Sequence, residues 1–507
     1  MGPAAIWEKA RLGGREREVR RPLSMKGDRR SADEWGSRSG SRAGLVLLLL
    51  LLVSYSYFIY RGPIWNADSR MALVLAAIDH RTLSIDAYHE MTEDKSFVNG
   101  HYYSDKAVGV SLLAAPVYAL LKPSLLSSLS PNAYFLIRYL ITFFVISVPS
   151  SLLAVLFYSS LPALGVCGLA RLTSTVGFAL GTIAFPLSTV LYGHQLAASL
   201  LFAAFLLLRI HREGALTGKR REWHLLGAAI LAGYAVATEY PAAIAVAILS
   251  VYAILIPGGS RQSAVARLAI WVTGLAPAGV IVGAYNTLAF GSPLSQGYAH
   301  LGGAPQFVEG MSQGLLGLTY PKLPALWGIT LSPYRGLFFL SPFLLLAISG
   351  WNHLRKSRHR SEAHVCAAIV ISFLLFNASY FQWDGGYSLG PRHFTPALPF
   401  LSVLAAVGIA RALRLGTILV SVSVVMIWLF TTTNAFPSPE YANPLFETVI
   451  PSLLSGSLNN NWGMAFGLRG VASLAPIVIV LLGSLALLAR AESHQTGRKR
   501  GAVSFVA

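Results

Sequence analysis

The side chains best suited to chemistry lie in a polar stretch, residues 61–106, that follows the first long apolar run. Asp68 stands near its beginning, in the sequence Trp-Asn-Ala-Asp-Ser-Arg. A carboxylate held at a membrane boundary can take a proton from a hydroxyl group, so Asp68 is a candidate general base. An Asp before an apolar segment is also a common N-cap, here of a helix through Ile78. The two roles are compatible.

The polar stretch ends on Tyr-Tyr-Ser-Asp-Lys, residues 102–106, directly before a second apolar segment. An ammonium group is unfavourable at the N-terminus of a helix because of the helix dipole, whereas helix N-termini and lysines both attract phosphate. Lys106 is therefore predicted to bind a phosphate group. Arg392, in a distant polar turn, is predicted to bind the same group with two parallel hydrogen bonds. A lysine that reaches out to lipid headgroups is the alternative for Lys106.

Further polar residues interrupt the apolar runs. Glu239 lies in Ala-Thr-Glu-Tyr-Pro and His194 in Tyr-Gly-His-Gln. Ionisable residues inside a membrane are candidates for a functional site, although a solvated carboxylate at a span end and a capping or packing histidine explain them equally well. The turn at 382–393 is rich in Gly and aromatic residues, which suit either a sugar face or an interfacial aromatic belt. The predicted substrate-binding residues are Tyr103, Asp105, His194, Glu239, Trp383 and Asp384.

Several common catalytic motifs are absent from the sequence. It has no phosphate-binding GxxxxGK[ST] loop and no HExxH metal motif. The polar stretch contains no DxD pattern, and the histidines lack metal-ligand spacing. No metal and no cofactor are therefore predicted.

The composition is that of an integral membrane protein. Of 507 residues, 54% are hydrophobic and 12% are charged, with a mean hydropathy of +0.56, whereas soluble domains carry about 25% charged residues. The net charge is +18, but eleven of the 40 Lys and Arg residues precede residue 43 and most others form short clusters between apolar runs. This distribution is typical of the cytoplasmic segments of a membrane protein and argues against nucleic-acid binding.

The apolar runs predict an all-α polytopic bundle of about twelve transmembrane helices. The predicted spans are 44–60, 133–158, 172–191, 194–210, 224–240, 241–257, 268–289, 336–352, 363–381, 394–410, 415–432 and 471–489. The run at 108–121 is shorter than the roughly 20 residues that a span needs. If it lies at the interface instead, every basic cluster between spans falls on the cytoplasmic side. Whether 224–257 is one kinked span or two stays open, because Pro241 permits both.

This topology divides the chain into three parts. Residues 1–43 are predicted to be a disordered basic cytoplasmic tail, residues 44–490 the transmembrane domain, and residues 491–507 a second cytoplasmic tail. The segments 61–132, 290–335 and 433–470 are predicted to be external, with interfacial helices in the first of them. The candidate site residues then face the outer side.

The order of the polar motifs resembles that of bacterial GT-C glycosyltransferases of the family 39 or ArnT-like type. The matching features are Asp68 after the first span, the block Tyr102–Lys106 before an interfacial helix, Thr238–Pro241, Tyr285–Pro293, Trp383–Gly386 and Gly390–Arg392. The resemblance extends over roughly residues 44–410 and implies a GT-C-like fold. Two positions depart from it: Ser69 stands where many relatives have Glu, and Ala107-Val108 where they have Pro-Pro.

The resemblance implies an inverting glycosyltransferase that uses a sugar linked to polyprenyl phosphate, a hexose or a pentose. The acceptor would be a hydroxyl group of a lipid, glycan or protein on the outer face of the bacterial plasma membrane. Asp68 would be the base and Lys106 would bind the donor phosphate. Two other classes fit a polytopic chain: a transporter or lipid flippase with Glu239 and His194 in a proton or substrate path, and an assembly factor whose first external loop binds a partner.

Overall fold

The long apolar runs form helices, because a helix satisfies every backbone hydrogen bond within its own segment when no water is present. The computed structural model describes residues 42–125, 131–216, 221–255 and 261–504. In these ranges, seven helices are long and apolar enough to cross a membrane: Asn132–Leu164, Gly193–Ala215, Ser263–Phe290, Arg360–Ser379, Arg392–Arg411, Leu413–Thr433 and Gly470–Ser493.

Three of these helices expose most of their apolar surface. Inside the protein, Ser263–Phe290 buries 22% of its most apolar window, Leu413–Thr433 28% and Gly470–Ser493 17%. Apolar surface of this extent is stable against lipid but not against water. The chain is therefore a helical membrane protein.

The other five predicted spans also fall on helices, but these are shorter or interrupted. They are Arg42–Ser56, Gly168–Leu180 followed by Ala184–Leu187, Glu222–Thr238, Ala242–Ile254, and the series Leu337–Leu340, Pro342–Leu346 and Ala347–Leu354. Straight spans at 172–191 and 336–352 are thus not observed. The second is broken at Pro342, because proline lacks an N–H and clashes with the preceding turn. The region 224–257 is two helices joined at Glu239–Pro241.

The first loop is ordered and contains an element that the hydrophobic pattern did not predict. It comprises helices Trp65–Leu75, Ala76–His80, Asp86–Met91 and Gly109–Leu125 and an antiparallel hairpin of strands Lys95–Val98 and His101–Ser104. The Gly109–Leu125 helix covers the short apolar run that was predicted to lie at the interface. The hairpin connects the two halves of the loop.

Shorter helices occupy the other long connections. They are Gly297–Ala299, Pro305–Ser312, Leu323–Thr330, Arg392–Ala397 leading into Leu398–Arg411, Leu445–Val449, Ile450–Leu454, Trp462–Ala465 and Gly470–Leu474. The last helix runs from Ala475 to Ser504, so most of the predicted tail at 491–507 is helical. The tail predicted at 1–43 lies almost entirely outside the described residues.

The basic clusters between the helices meet at one end of the bundle. Arg212 donates hydrogen bonds to the carbonyl of Leu255 at 3.1 Å and to Ser361 Oγ at 3.0 Å. Arg411 lies 2.9 Å from His353 Nδ1. The opposite ends of the same helices come together elsewhere, and there they enclose a cavity.

Candidate functional site

The cavity has a volume of about 980 Å³ and is lined by segments from most of the chain. Its charged and histidine lining residues are Arg61, Asp94, Lys106, His194, Glu239, Arg392 and His393. Apolar side chains cover other parts of the wall, among them Ile64, Ile244, Leu316, Leu318, Phe376 and Phe381. A largely apolar pocket with a few convergent polar groups is the usual form of a site for a small molecule or a lipid.

Lys106 is buried between two carboxylates. Its Nζ lies 2.8 Å from Asp94 Oδ2 and 3.0 Å from Asp105 Oδ2, and the rings of Tyr298 and Phe307 lie 5.4 and 5.6 Å away. Burial opposes the ammonium charge, but the charges of Asp105 and Asp94 outweigh it and raise the pKa of Lys106 well above its usual value. Burial raises the pKa of Asp105 to about 6. An ammonium has three N–H donors, so Lys106 keeps one for a ligand.

The hairpin explains why these two carboxylates meet. Asn99-Gly100 connects its strands with positive φ angles of 52° and 88°, and Asn-Gly is the strongest short-range signal for a tight hairpin turn. The register pairs Lys95 with Ser104. Asp94 and Asp105 are the next residues outward on the two strands, so the register brings them together at the open end of the hairpin.

Glu239 lies at the junction of two helices and belongs to a buried ion pair. Its Oε1 accepts a hydrogen bond from Arg70 Nη2 at 2.6 Å, and its Oε2 lies 3.6 Å from His194 Nδ1. A Cβ at Gly193 would lie 2.4 Å from Glu239 Oε1, so glycine at this position allows the carboxylate to approach the start of the Gly193–Leu216 helix. The dipole of that helix favours a negative charge there.

Arg392 brings an uncompensated positive charge to the cavity. It forms no ion pair with any described residue, and its guanidinium lies 5.4 Å from the ring of Tyr192. Within the described ranges, Arg392 Nε, His393 Nε2 and His194 Nε2 are buried without hydrogen-bond partners. The rings of the two histidines are 5.3 Å apart. Buried polar atoms of this kind require an explanation, and a bound ligand supplies one.

Asp68 is not among the residues that line the cavity. Its Oδ1 accepts hydrogen bonds from Arg138 Nη1 and from Tyr134 OH, both at 2.6 Å, and its Oδ2 accepts one from the backbone N–H of Ile64 at 2.7 Å. The helix begins at Trp65, before Asp68, so the carboxylate caps the helix from within its first turn. Its assignment as the general base stays a prediction that this geometry does not favour, because both oxygens are already bonded.

The other predicted substrate residues lie around the cavity and support its walls. Asp105 is not part of the cavity lining but contacts Lys106, which is. The ring of Tyr103 packs against Phe290. Asp384 accepts hydrogen bonds from Tyr334 OH at 3.0 Å and from the backbone N–H of Gly386 at 3.2 Å. The ring of Trp383 packs so closely against Gly328 that a Cβ there would lie 2.2 Å from it. Of the predicted site residues, the cavity thus brings together Lys106, Arg392, His194 and Glu239.

Sequence reasoning gave no site role to four residues of this region. Asp94 belongs to the cavity wall through the hairpin, whose turn signal at Asn99-Gly100 was available in the sequence. Arg70 pairs with Glu239 across 169 residues, and Arg138 pairs with Asp68 across 70 residues. His393 comes directly after Arg392 in the sequence. No local pattern identifies such distant partners.

The chain matches no protein-family model and no curated protein sequence. Its fold is similar to the crystal structure of ArnT from Cupriavidus metallidurans bound to undecaprenyl phosphate, with a TM-score of 0.44 and 14% sequence identity. The similarity covers 91% of this chain and 78% of that one. Values this low do not show a shared activity, so the activity must be inferred from the site's own residues.

Proposed function

We propose that this protein is a membrane glycosyltransferase that transfers a sugar from a polyprenyl-phosphate donor to a hydroxyl acceptor, with inversion at the anomeric carbon. The observation that supports this most is the cavity itself. It combines cationic side chains, among them the buried Lys106 and an Arg392 that has no ion pair within the described ranges, with an apolar wall inside a membrane protein. A phosphate linked to a long apolar chain matches both parts of such a cavity.

The phosphate site is assigned to Lys106 and Arg392. Lys106 has one N–H donor left after its two carboxylate contacts, and Arg392 offers a guanidinium without an ion pair among the described residues. One guanidinium group can bind a phosphate through two parallel N–H···O hydrogen bonds. Tyr298 and Phe307, beside Lys106, provide ring faces of the kind that pack against sugars.

Charge development in the reaction fits this assignment. As the bond between the anomeric carbon and the phosphate oxygen breaks, the sugar gains oxocarbenium character and the departing phosphate gains negative charge. Fixed cations in a buried site stabilise that charge more than they do in water. Lys106 and Arg392 would therefore contribute more to the transition state than to the bound donor.

The charge distribution supports an outward-facing site. The basic clusters lie at the end of the bundle opposite the cavity, and basic segments stay in the cytoplasm. The cavity is accordingly assigned to the outer side of a bacterial plasma membrane, with both termini in the cytoplasm. The acceptor would be a lipid, glycan or protein at that surface.

A direct test uses purified protein in detergent with a panel of synthetic decaprenyl-phosphate-linked hexoses and pentoses. With water or an added membrane extract as the hydroxyl acceptor, we expect sugar-dependent release of decaprenyl phosphate, detected by thin-layer chromatography. Lys106→Ala and Arg392→Ala should each lower the release by at least tenfold, because one charged contact to phosphate is lost. Lys122→Ala is the matched control, since Lys122 is half-exposed and pairs with Asp79 at 2.7 Å outside the cavity. Absence of both donor binding and release from the wild-type protein would refute the proposal.

A further inference from the structure

We propose that His194, oriented by Glu239, is the general base that accepts the proton of the acceptor hydroxyl. This inference rests on the proposed glycosyl transfer. The reaction needs a proton acceptor next to the sugar, and such a group must be within about 3 Å of the hydroxyl, directly or through one water. Asp68 lies outside the cavity lining and already accepts three hydrogen bonds. The base is therefore sought among the residues that line the cavity.

The two carboxylates in the lining already have cationic partners. Asp94 is 2.8 Å from the ammonium of Lys106, and Glu239 is 2.6 Å from the guanidinium of Arg70. Each carboxylate therefore already has an oxygen in direct contact with a buried cation, which leaves it less free to take a proton from a substrate. Both groups are better suited to hold neighbouring side chains in place.

His194 has the features of a base supported by a carboxylate. It lines the cavity, only 5% of its surface is exposed, and its Nε2 has no hydrogen-bond partner among the described residues. Its other nitrogen, Nδ1, lies 3.6 Å from Glu239 Oε2. Catalytic hydrogen bonds are often long in the absence of substrate and shorten in the complex. A carboxylate behind an imidazole fixes its tautomer and stabilises the imidazolium ion that forms.

Two further contacts hold Glu239 in this position. Arg70 binds its Oε1, and Gly193 leaves the space that its carboxylate occupies. Oε2 is thereby left for His194. Glu239 is a positioning residue in this arrangement, and His194 is the residue that meets the substrate.

The charged and titratable groups around His194 come from several segments of the chain. Arg392, Arg70 and Lys106 are the cations that act on it, and His393 and Tyr192 are the adjacent titratable side chains. Glu239 is the anion nearest to its ring. The three cations disfavour a charged imidazole before the reaction, and the neutral imidazole is the form that accepts a proton. The carboxylate and the departing phosphate both favour the charged form once the proton has moved.

The reaction step balances as follows. The acceptor oxygen forms a bond to the anomeric carbon while the bond from that carbon to the phosphate oxygen breaks. The bonding electron pair leaves with the polyprenyl phosphate, and the hydroxyl proton goes to His194 Nε2. The proton is later released to solvent or to the phosphate.

The experiment compares His194→Gln with His101→Gln in single-turnover release of decaprenyl phosphate from a decaprenyl-phosphate-linked sugar that is active with the wild type. His101 is a matched control, because it also contacts a carboxylate, Asp86 at 2.6 Å, but is exposed and outside the cavity lining. We expect a rate loss of about a hundredfold or more for His194→Gln, the scale of general-base removal. His101→Gln should match the wild type. Decaprenyl phosphate should bind both variants, which separates a loss of chemistry from a loss of folding.

Two further readouts decide between a base and a packing residue. Added imidazole should restore part of the rate in His194→Ala, and the rate of the wild type should fall as pH drops and the imidazole becomes charged. Glu239→Gln removes the stabilising carboxylate, so this acidic limb should shift to lower pH. Wild-type rates in His194→Gln, or absence of imidazole rescue in a His194→Ala variant that still binds decaprenyl phosphate, would overturn the inference. A wild-type protein with no transfer activity would instead remove the proposed function.

Discussion

Asp68 is the residue whose environment differs most from its predicted role. Its carboxylate is 96% buried and neutralises Arg138, which also donates hydrogen bonds to the carbonyls of Tyr60 and Gly62 at 2.9 Å. The pair thus joins the chain after the first helix to the Pro131–Thr142 helix. Through this network, Asp68 contributes to the shape of the cavity without contacting a ligand bound in it.

Replacing Asp68 by Asn distinguishes this role from catalysis. Asn has a single acceptor oxygen, so it can keep the hydrogen bond from Tyr134 or the one from the Ile64 N–H but not both. It also leaves a buried guanidinium without its counter-charge, which costs about 3 kcal/mol. We expect a lower melting temperature in detergent by scanning fluorimetry. Tyr134→Phe removes one neutral hydrogen bond and should cost only about 1 kcal/mol. An unchanged melting temperature together with a hundredfold slower turnover would instead restore Asp68 as the base.

Asp94, Asp105 and Lys106 form a charged group where the hairpin leads into the Gly109–Leu125 helix. We expect the net charge of this group to affect anion binding. At neutral pH, Lys106 faces two ionised carboxylates, Asp94 and Asp105, and the group has a net charge of −1. Because burial raises the pKa of Asp105 to about 6, this residue becomes protonated as pH falls below that value. The group then becomes neutral overall, and repulsion of a phosphate weakens.

Protonation of Asp105 should therefore make donor binding depend on pH. A phosphodiester donor keeps its single charge throughout, so its binding should strengthen roughly tenfold between pH 7 and pH 5, which corresponds to about 1.4 kcal/mol of electrostatic interaction. In Asp105→Asn, the tight binding should already be present at pH 7 and change little on acidification. The measurement is equilibrium binding of a fluorescent decaprenyl-phosphate sugar in detergent. Weaker wild-type binding at pH 5 than at pH 7 would contradict the proposed charge balance.

The sequence predicted the helices well and the segments that connect them poorly. All twelve predicted spans fall on helical segments, since a run of apolar residues is a local property of the chain. The break at Gly181 depends on how neighbouring helices pack, the break at Pro342 on the proline itself, and the hydrophobic pattern reports neither. The hairpin was not predicted either, although Asn99-Gly100 is a local signal for it. Lys106, Arg392, His194 and Glu239 were predicted from their types, but Arg70, the ion-pair partner of Glu239, comes from a distant segment that no local pattern connects to it.

Basic residues at the two ends of the bundle differ in their partners. At one end, exposed or half-buried basic residues such as Arg212 and Arg411 contact backbone, hydroxyl and imidazole groups. At the other end, the ion pairs of Arg70, Lys106 and Arg138 are buried around the cavity. Buried pairs of this kind are costly to separate. We infer that these buried pairs hold the cavity walls in fixed relative positions. The basic residues at the other end set the orientation of the bundle in the membrane.

That orientation leads to a prediction for the whole chain. In a Cys167→Ser background, where the remaining Cys366 is buried, single cysteines are placed at the exposed positions Ala87 and Lys356. Ala87 lies in the first loop on the cavity side, and Lys356 lies in a basic cluster. An impermeant maleimide added to intact cells should label the cysteine at Ala87 at once and the one at Lys356 only after permeabilisation, because basic segments remain in the cytoplasm. The reverse pattern would place the cavity on the cytoplasmic side, where an outward-facing transferase cannot have its site.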